Sequence, residues 1–192
     1  MKRIAILALQ GAFAEHEDML QHLGAETMQI RNLVDWEDFL GEKGMDGDYT
    51  GLGLVIPGGE STAMMRIMRD EDLFEPLQEA IRGGLPVFGT CAGLILLDKV
   101  HLDTMNITAL RNAYGRQLGS FFVEAPVDDI GTVPMTFIRA PYISEAGEGV
   151  TVLAKVDGRI IAAQQDKQLV TAFHPELNED TRVHAYFLSM VS

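Results

Sequence analysis

The run Leu85-Pro86-Val87-Phe88-Gly89-Thr90-Cys91-Ala92-Gly93-Leu94-Ile95-Leu96-Leu97 decides how the chain is read, because it changes character halfway along. A short apolar strand breaks at Gly89, presents the only cysteine, and resumes as an apolar helix. Gly89 and Gly93 lie two positions either side of Cys91, where a sharp strand-to-helix turn crowds any side chain larger than hydrogen. This is the nucleophile-elbow pattern with cysteine in place of serine. An elbow holds its side chain out from the sheet edge on strained backbone, and the N–H groups opening the next helix point towards whatever the sulfur attacks. The Ala92 N–H is therefore a candidate oxyanion donor, and the helix N-terminus favours thiolate over thiol. The plainer reading of a lone cysteine is a small buried apolar residue. The flanking glycines weigh against that reading, but a second reactive group is still required.

Upstream of the elbow, Ile4 to Leu9 is a continuous apolar run suited to a strand covered on both faces, and Gln10-Gly11 ends it. Phe13 to Leu23 reads as a helix closed by Gly24, and Glu26 to Ile30 as a second strand. This alternation implies a right-handed βαβ unit and a parallel sheet. Residues 35–40 fit a helical turn or two capped by Asp35, and the glycine-rich, acidic stretch 41–51 reads as a surface loop. Leu52 to Ile56 is a third buried strand. It runs into Pro57-Gly58-Gly59-Glu60-Ser61-Thr62, whose glycines let backbone N–H groups face a ligand while Ser61 or Thr62 caps the following helix. An ordinary tight turn is the alternative there. A helix from Leu73 to Arg82 then leads to the elbow strand.

Downstream, short β-like runs at 119–125, 135–138, 150–156, 159–165 and 169–173 are expected to extend the sheet with antiparallel pairs, Asp157-Gly158 being a strong hairpin turn. The last run leads into His174-Pro175-Glu176. In an extended segment residues two apart point the same way, so the Glu176 carboxylate could accept the Nδ1 proton of His174 and leave Nε2 free for Cys91. A surface turn is the competing reading. His16, His22 and His184 fall in helical stretches and His101 in a polar connection, all better read as solvated or packed. No set of residues has metal-ligand spacing.

With 192 residues, 47% hydrophobic and 22% charged, the chain suits one compact domain. One cysteine excludes an internal disulfide framework and suits a reducing compartment, and the stretch after Met1 carries Gln10, Glu15 and Glu17 before it could serve as a signal sequence. No run approaches the ~18 apolar residues of a membrane span, so a soluble, cytoplasmic protein is expected. A net charge of −13 argues against a general nucleic-acid or anionic-membrane surface.

Gly89-Thr90-Cys91-Ala92-Gly93 together with His174-Pro175-Glu176 resembles the class I, triad-type glutamine amidotransferases. The strings Leu7-Ala8-Leu9-Gln10-Gly11, Pro57-Gly58-Gly59-Glu60-Ser61-Thr62, Arg111-Asn112-Ala113-Tyr114-Gly115-Arg116, Phe137-Ile138-Arg139-Ala140-Pro141 and Phe173-His174-Pro175-Glu176-Leu177 narrow the resemblance to glutaminase subunits of pyridoxal 5′-phosphate synthases. It implies an α/β, single-domain, three-layer sandwich of flavodoxin-like type, with a mostly parallel central sheet flanked by helices. It implies Cys91 as nucleophile, His174 as general base and acid, and Glu176 as its orienter. L-glutamine would be held by Gly59, Glu60, Ser61, Arg111, Ile138 and Arg139, with Ala92 and Gly58 serving the oxyanion. Neither metal nor cofactor is implied. The implied partner is a (β/α)₈ synthase subunit that consumes the ammonia within a hetero-oligomeric complex. Two alternatives stand beside it: a cysteine-elbow protease or deglycase-like hydrolase, which typically places histidine where Ala92 stands, and a non-catalytic α/β regulatory module.

Overall fold

In the computed structural model, which describes residues 1–111 and 120–192, the continuous apolar runs become strands buried on both faces. β1 (Arg3–Leu7), β2 (Glu26–Ile30), β3 (Leu52–Ile56) and β4 (Val87–Thr90) pair in parallel in the spatial order β2-β1-β3-β4. Between them run α1 (Phe13–His22), α2 (Leu33–Met45), and α3 (Ser61–Asp70) followed by α4 (Phe74–Arg82). The chain steps outward from β1 to β2 and then returns past β1 to β3, so right-handed crossovers put α1 and α2 on opposite faces of the sheet. α5 (Ala92–Leu97) follows β4 and packs with α3 over β3, while the last helix, α6 (Arg182–Met190), lies beside α1. Helices thus cover both faces. The fully buried Phe88 anchors the α1–α6 face, its ring contacting His16, His184 and Phe187. Truncating such a residue to alanine costs about 3–5 kcal/mol.

The second half adds β5 (Ile107–Leu110), β6 (Ser120–Val127), β7 (Gly131–Ile138), β8 (Tyr142–Ala146), β9 (Thr151–Val156), β10 (Arg159–Gln165) and β11 (Gln168–Thr171). β11 joins β4 in parallel, and β10, β9, β8 and β5 continue the sheet in antiparallel pairs, β9 turning into β10 at Asp157-Gly158. β6 and β7 do not extend it: they form a separate two-stranded ribbon. Gly119, expected to begin one of these runs, lies outside the described residues, as does the 112–116 part of the arginine-containing string.

Two local expectations are corrected. The stretch 41–51 is not wholly a loop: α2 continues to Met45, interrupted only at Gly41 (φ +61°, ψ −174°). Burial of Leu40 and Gly44, with Gly44 against Leu40 and Leu52, outweighs the helix-breaking tendency of the glycines. The cap of α2 is Asn32, whose side chain accepts from the Asp35 N–H at 2.9 Å, while the Asp35 carboxylate accepts in return from the Arg31 N–H. Among the described residues no helix is long and apolar enough to cross a membrane.

β3, β4 and β11 are adjacent and parallel, so their carboxyl ends open on one edge of the sheet, where open α/β sheets bind ligands.

Candidate active site

β4 ends at Thr90 and α5 starts at Ala92, leaving Cys91 between them at φ +50° and ψ −102°. An L-residue adopts that backbone only when its surroundings over-determine it. Here the Cys91 N–H donates to Thr171 O at 2.8 Å, tying the elbow to β11. A Cβ on Gly93 would lie 2.0 Å from Ile56 O, and one on Gly89 would lie 2.7 Å from the Gly93 carbonyl, so both glycines are required for the close approach. Of the seven described non-glycine residues with positive φ, five are aspartates; the other two, Cys91 and Arg139 (φ +45°), line a single cavity.

His174 follows β11 and is fixed by its own N–H, which donates to Thr136 O on the ribbon at 2.8 Å. Its Nδ1 lies 2.6 Å from Glu176 Oε1, and both side chains are buried. The contact is the expected one, but the backbone is not extended: Pro175–Leu177 forms a 3-10 turn with proline at its start, where the fixed φ of Pro175 favours curling. Burial would push the His174 pKa down. Hydrogen bonds to Cys91 and Glu176, and the charge on each, overcome it and raise the pKa to about 10, so the ring holds its proton at neutral pH.

Gly58 closes the site from β3. A Cβ there would lie 2.4 Å from His174 Cε1 and 3.4 Å from Cys91 Cβ, so ring, cysteine and loop converge on one point that only glycine can occupy. The loop is held from β1: the Ala12 N–H donates to Gly58 O at 3.2 Å, and Gln10 Oε1 accepts from the Glu60 N–H at 2.6 Å. The cap of α3 is Glu60 and not Ser61 or Thr62. Its carboxylate reaches the N–H groups of Thr62 and Ala63, which, with Arg111 nearby, hold its pKa below the usual carboxylate range. The two oxygens of the longer side chain take one N–H each.

Cys91, Ala92, Gly58, Gly59, Glu60, Ser61, Arg111, Ile138, Arg139 and His174 all line one cavity of about 540 Å³. Of the residues singled out from the sequence, only Glu176 stands behind it, against the back of the His174 ring. Cys91 Sγ lies 4.0 Å from Ile138 O, and Arg111 reaches the rim with its guanidinium on Thr62 Oγ1 at 3.0 Å. The cavity therefore joins a cysteine, a protonated imidazole and a guanidinium, a set suited to covalent attack on a small substrate that carries a carboxylate. Among the described residues no group of three or more His, Cys, Asp or Glu side chains could hold a metal.

Residues 6–192 match the model of the SNO glutamine amidotransferase family. The chain belongs to that family. Across 98% of its length it is 53% identical to a protein of Streptococcus pneumoniae named pyridoxal 5′-phosphate synthase subunit PdxT, of which 97% is covered. A solved glutamine amidotransferase superposes with a TM-score of 0.86 at 37% identity, covering 98% of each chain. PurLQS from Thermotoga maritima superposes with a TM-score of 0.67 over 100% of this chain and 99% of its own, and at 15% identity shares the fold.

Two features of this amidotransferase lie outside the sequence reading. His16 is fully buried, 3.5 Å from Glu176 Oε2; its place with Phe13 and Leu20 on the inner face of α1 is visible in their helical spacing, but its polar neighbours are not. His101, read as solvated or packed, is largely covered, and the polar partner the reading lacks is Asp98, whose Oδ1 meets its Nδ1 at 2.7 Å.

Proposed function

We propose that all 192 residues form one cytoplasmic glutaminase domain that hydrolyses L-glutamine to L-glutamate and ammonia, the ammonia passing to a (β/α)₈ synthase subunit that builds pyridoxal 5′-phosphate. The observation that carries this reading is Cys91 on a strained elbow, sharing a cavity with a His174 ring that holds its proton at neutral pH. The Cys91 thiolate attacks the side-chain amide carbon, and the carbonyl oxygen becomes an oxyanion facing the Ala92 N–H and the Gly58 loop. The C–N bond breaks as His174 Nε2 gives its proton to the departing ammonia, leaving a glutamyl thioester. His174 then takes a proton from water, the hydroxide attacks the thioester, and the thiolate leaves. Glu176 keeps the ring oriented and balances its charge throughout. Arg111 suits the substrate carboxylate, with Gly59, Glu60, Ser61, Ile138 and Arg139 completing the walls around the amino acid. The full-length likeness to PdxT supports the synthase partner, and the single free cysteine suits a reducing compartment.

The test is glutamine hydrolysis with and without the synthase subunit, comparing wild type with Cys91→Ala. Loss of the nucleophile should lower partner-stimulated turnover by at least ~10³-fold. Equal activity in the two proteins would remove Cys91 from the chemistry and the reading with it.

A further inference from the structure

Behind Glu176, on the side away from the cavity, lies a set of buried polar groups that the reaction above does not use. His16 of α1 and His184 of α6 are both fully buried and meet through His16 Nδ1 and His184 Nε2 at 2.8 Å. The other nitrogen of His16 faces two oxygens, Thr90 Oγ1 at 3.1 Å and Glu176 Oε2 at 3.5 Å. Oε2 is the carboxylate oxygen that His174 leaves free, and it is buried with no hydrogen-bond partner. Around His16, then, stand Thr90 from β4, His174 and Glu176 from the segment after β11, and His184 from α6. Burial, followed by the repulsion that a charge on His16 would meet from a charged His184 or His174, holds the His16 pKa well below its ordinary value, and burial pushes His184 down to about 3, so both rings are neutral.

Hydrogen-bond accounting then separates two arrangements. With its proton on Nδ1, His16 would donate to His184, turn a lone pair towards the Glu176 carboxylate, and leave the Nδ1–H of His184 buried without an acceptor. With protons on Nε2 of both rings, His184 donates to His16, the His16 N–H donates to Thr90 Oγ1 at 3.1 Å with Glu176 Oε2 beside it at 3.5 Å, and His184 Nδ1 is left as an unpaired acceptor. The second arrangement costs less, because a buried orphan donor beside a carboxylate-facing lone pair is replaced by one orphan acceptor.

We propose that His16, seated by His184, is a positioning residue for Glu176, its Nε2–H steadying the second carboxylate oxygen so that the first stays on the His174 ring. The geometry stands by itself; its consequence for turnover rests on the glutaminase reading.

Nitrogen-15 NMR of the histidine-labelled full chain reads the tautomer directly. An unprotonated Nδ1 on His16 is expected, and a protonated one overturns the proposal. A second arm compares His16→Leu with His16→Gln in the complex with the synthase subunit. Leucine should lower kcat by roughly tenfold to a hundredfold while leaving the glutamine KM within about twofold, and should move the titration of His174 from about 10 towards neutrality. Glutamine, whose amide N–H reaches towards the same oxygen, should restore most of both. A folded leucine variant with wild-type turnover and wild-type His174 titration would reduce His16 to packing and end the proposal; if that variant does not fold, the tautomer decides. Undiminished hydrolysis by Cys91→Ala would instead defeat the glutaminase reading and leave the tautomer and the His174 titration to judge His16.

Discussion

Two carboxylates in this molecule each hold an imidazole, Glu176 on His174 at 2.6 Å and Asp98 on His101 at 2.7 Å, and both carboxylates are buried. By that distance alone they are equivalent. They differ in what else each group touches. Asp98 accepts from the Val100 N–H at 3.0 Å and the Ala109 N–H at 3.3 Å, so its charge folds the chain between α5 and β5. His101 has both ring nitrogens engaged, the second facing Arg111 Nη2 at 3.4 Å. Among the described residues the Glu176 carboxylate meets side chains alone, His174 and, at 3.5 Å, His16, and the remaining nitrogen of His174 is left for Cys91. A short histidine–carboxylate contact thus says little about chemistry until the far side of the ring is inspected.

The largest test of that contrast is a pair of isosteric changes. Glu176→Gln should lower kcat for glutamine hydrolysis by roughly 10²–10⁴-fold with little change in KM, since the ring loses the charge that keeps it oriented and protonated. Asp98→Asn should leave kcat within about threefold but destabilise the fold by about 1–3 kcal/mol in urea unfolding, because its backbone partners lose a charged acceptor. Comparable losses of turnover would erase the distinction. A smaller effect is expected in the pH dependence of stability. Folding raises the His174 pKa from 6.5 to about 10, so the stabilisation from this ring is complete below pH 6.5 and disappears as pH climbs through about 10. The urea midpoint should fall across that window, and His174→Gln should flatten the fall; an equally steep fall in that variant would place the titration elsewhere. The smallest effect belongs to His101→Ala, which frees Arg111 on one side and should raise the glutamine KM by roughly two- to fivefold with kcat unchanged. A drop in kcat instead would draw the outer pair into the reaction.

How much of this is legible in the sequence follows from whether each signal is local. β1, β3 and β4 are buried on both faces and read as unbroken apolar runs; the elbow glycines are required by contacts within a few residues of Cys91 or with the end of the neighbouring strand. The motifs Leu7–Gly11, Pro57–Thr62 and Gly89–Gly93 sit at the carboxyl ends of these same strands, so elements and motifs reinforce each other. What escapes the reading depends on distant partners. Gly44 looks like a loop residue until Leu40 and Leu52 are seen against it, and Ser61 looks like a cap until the longer Glu60 is seen to reach two N–H groups while Gln10 holds its backbone. The 3-10 turn at Pro175–Leu177 keeps the predicted contact through a different backbone path: His174 stands just before the turn at φ −105° and ψ 87°, and the turn carries the Glu176 carboxylate back to its ring. His16 and His184 are separated by 168 positions, and neither helix alone gives a reason for its buried imidazole.

The β6–β7 ribbon has a consequence beyond its small size. It touches both His174 and Cys91, taking the His174 backbone N–H on Thr136 O and setting Ile138 O across from the sulfur, while Phe137 is wholly buried and the adjacent Ile138 is 43% exposed. Because neighbouring residues of a strand face opposite ways, a one-residue slip of Ser120 against Ile138 would turn Phe137 out to water and carry Thr136 O off the backbone N–H of His174. The pairing of two strands that stand apart from the large sheet therefore meters the gap between imidazole and sulfur, a spacing that the parallel strands beneath do not set by themselves.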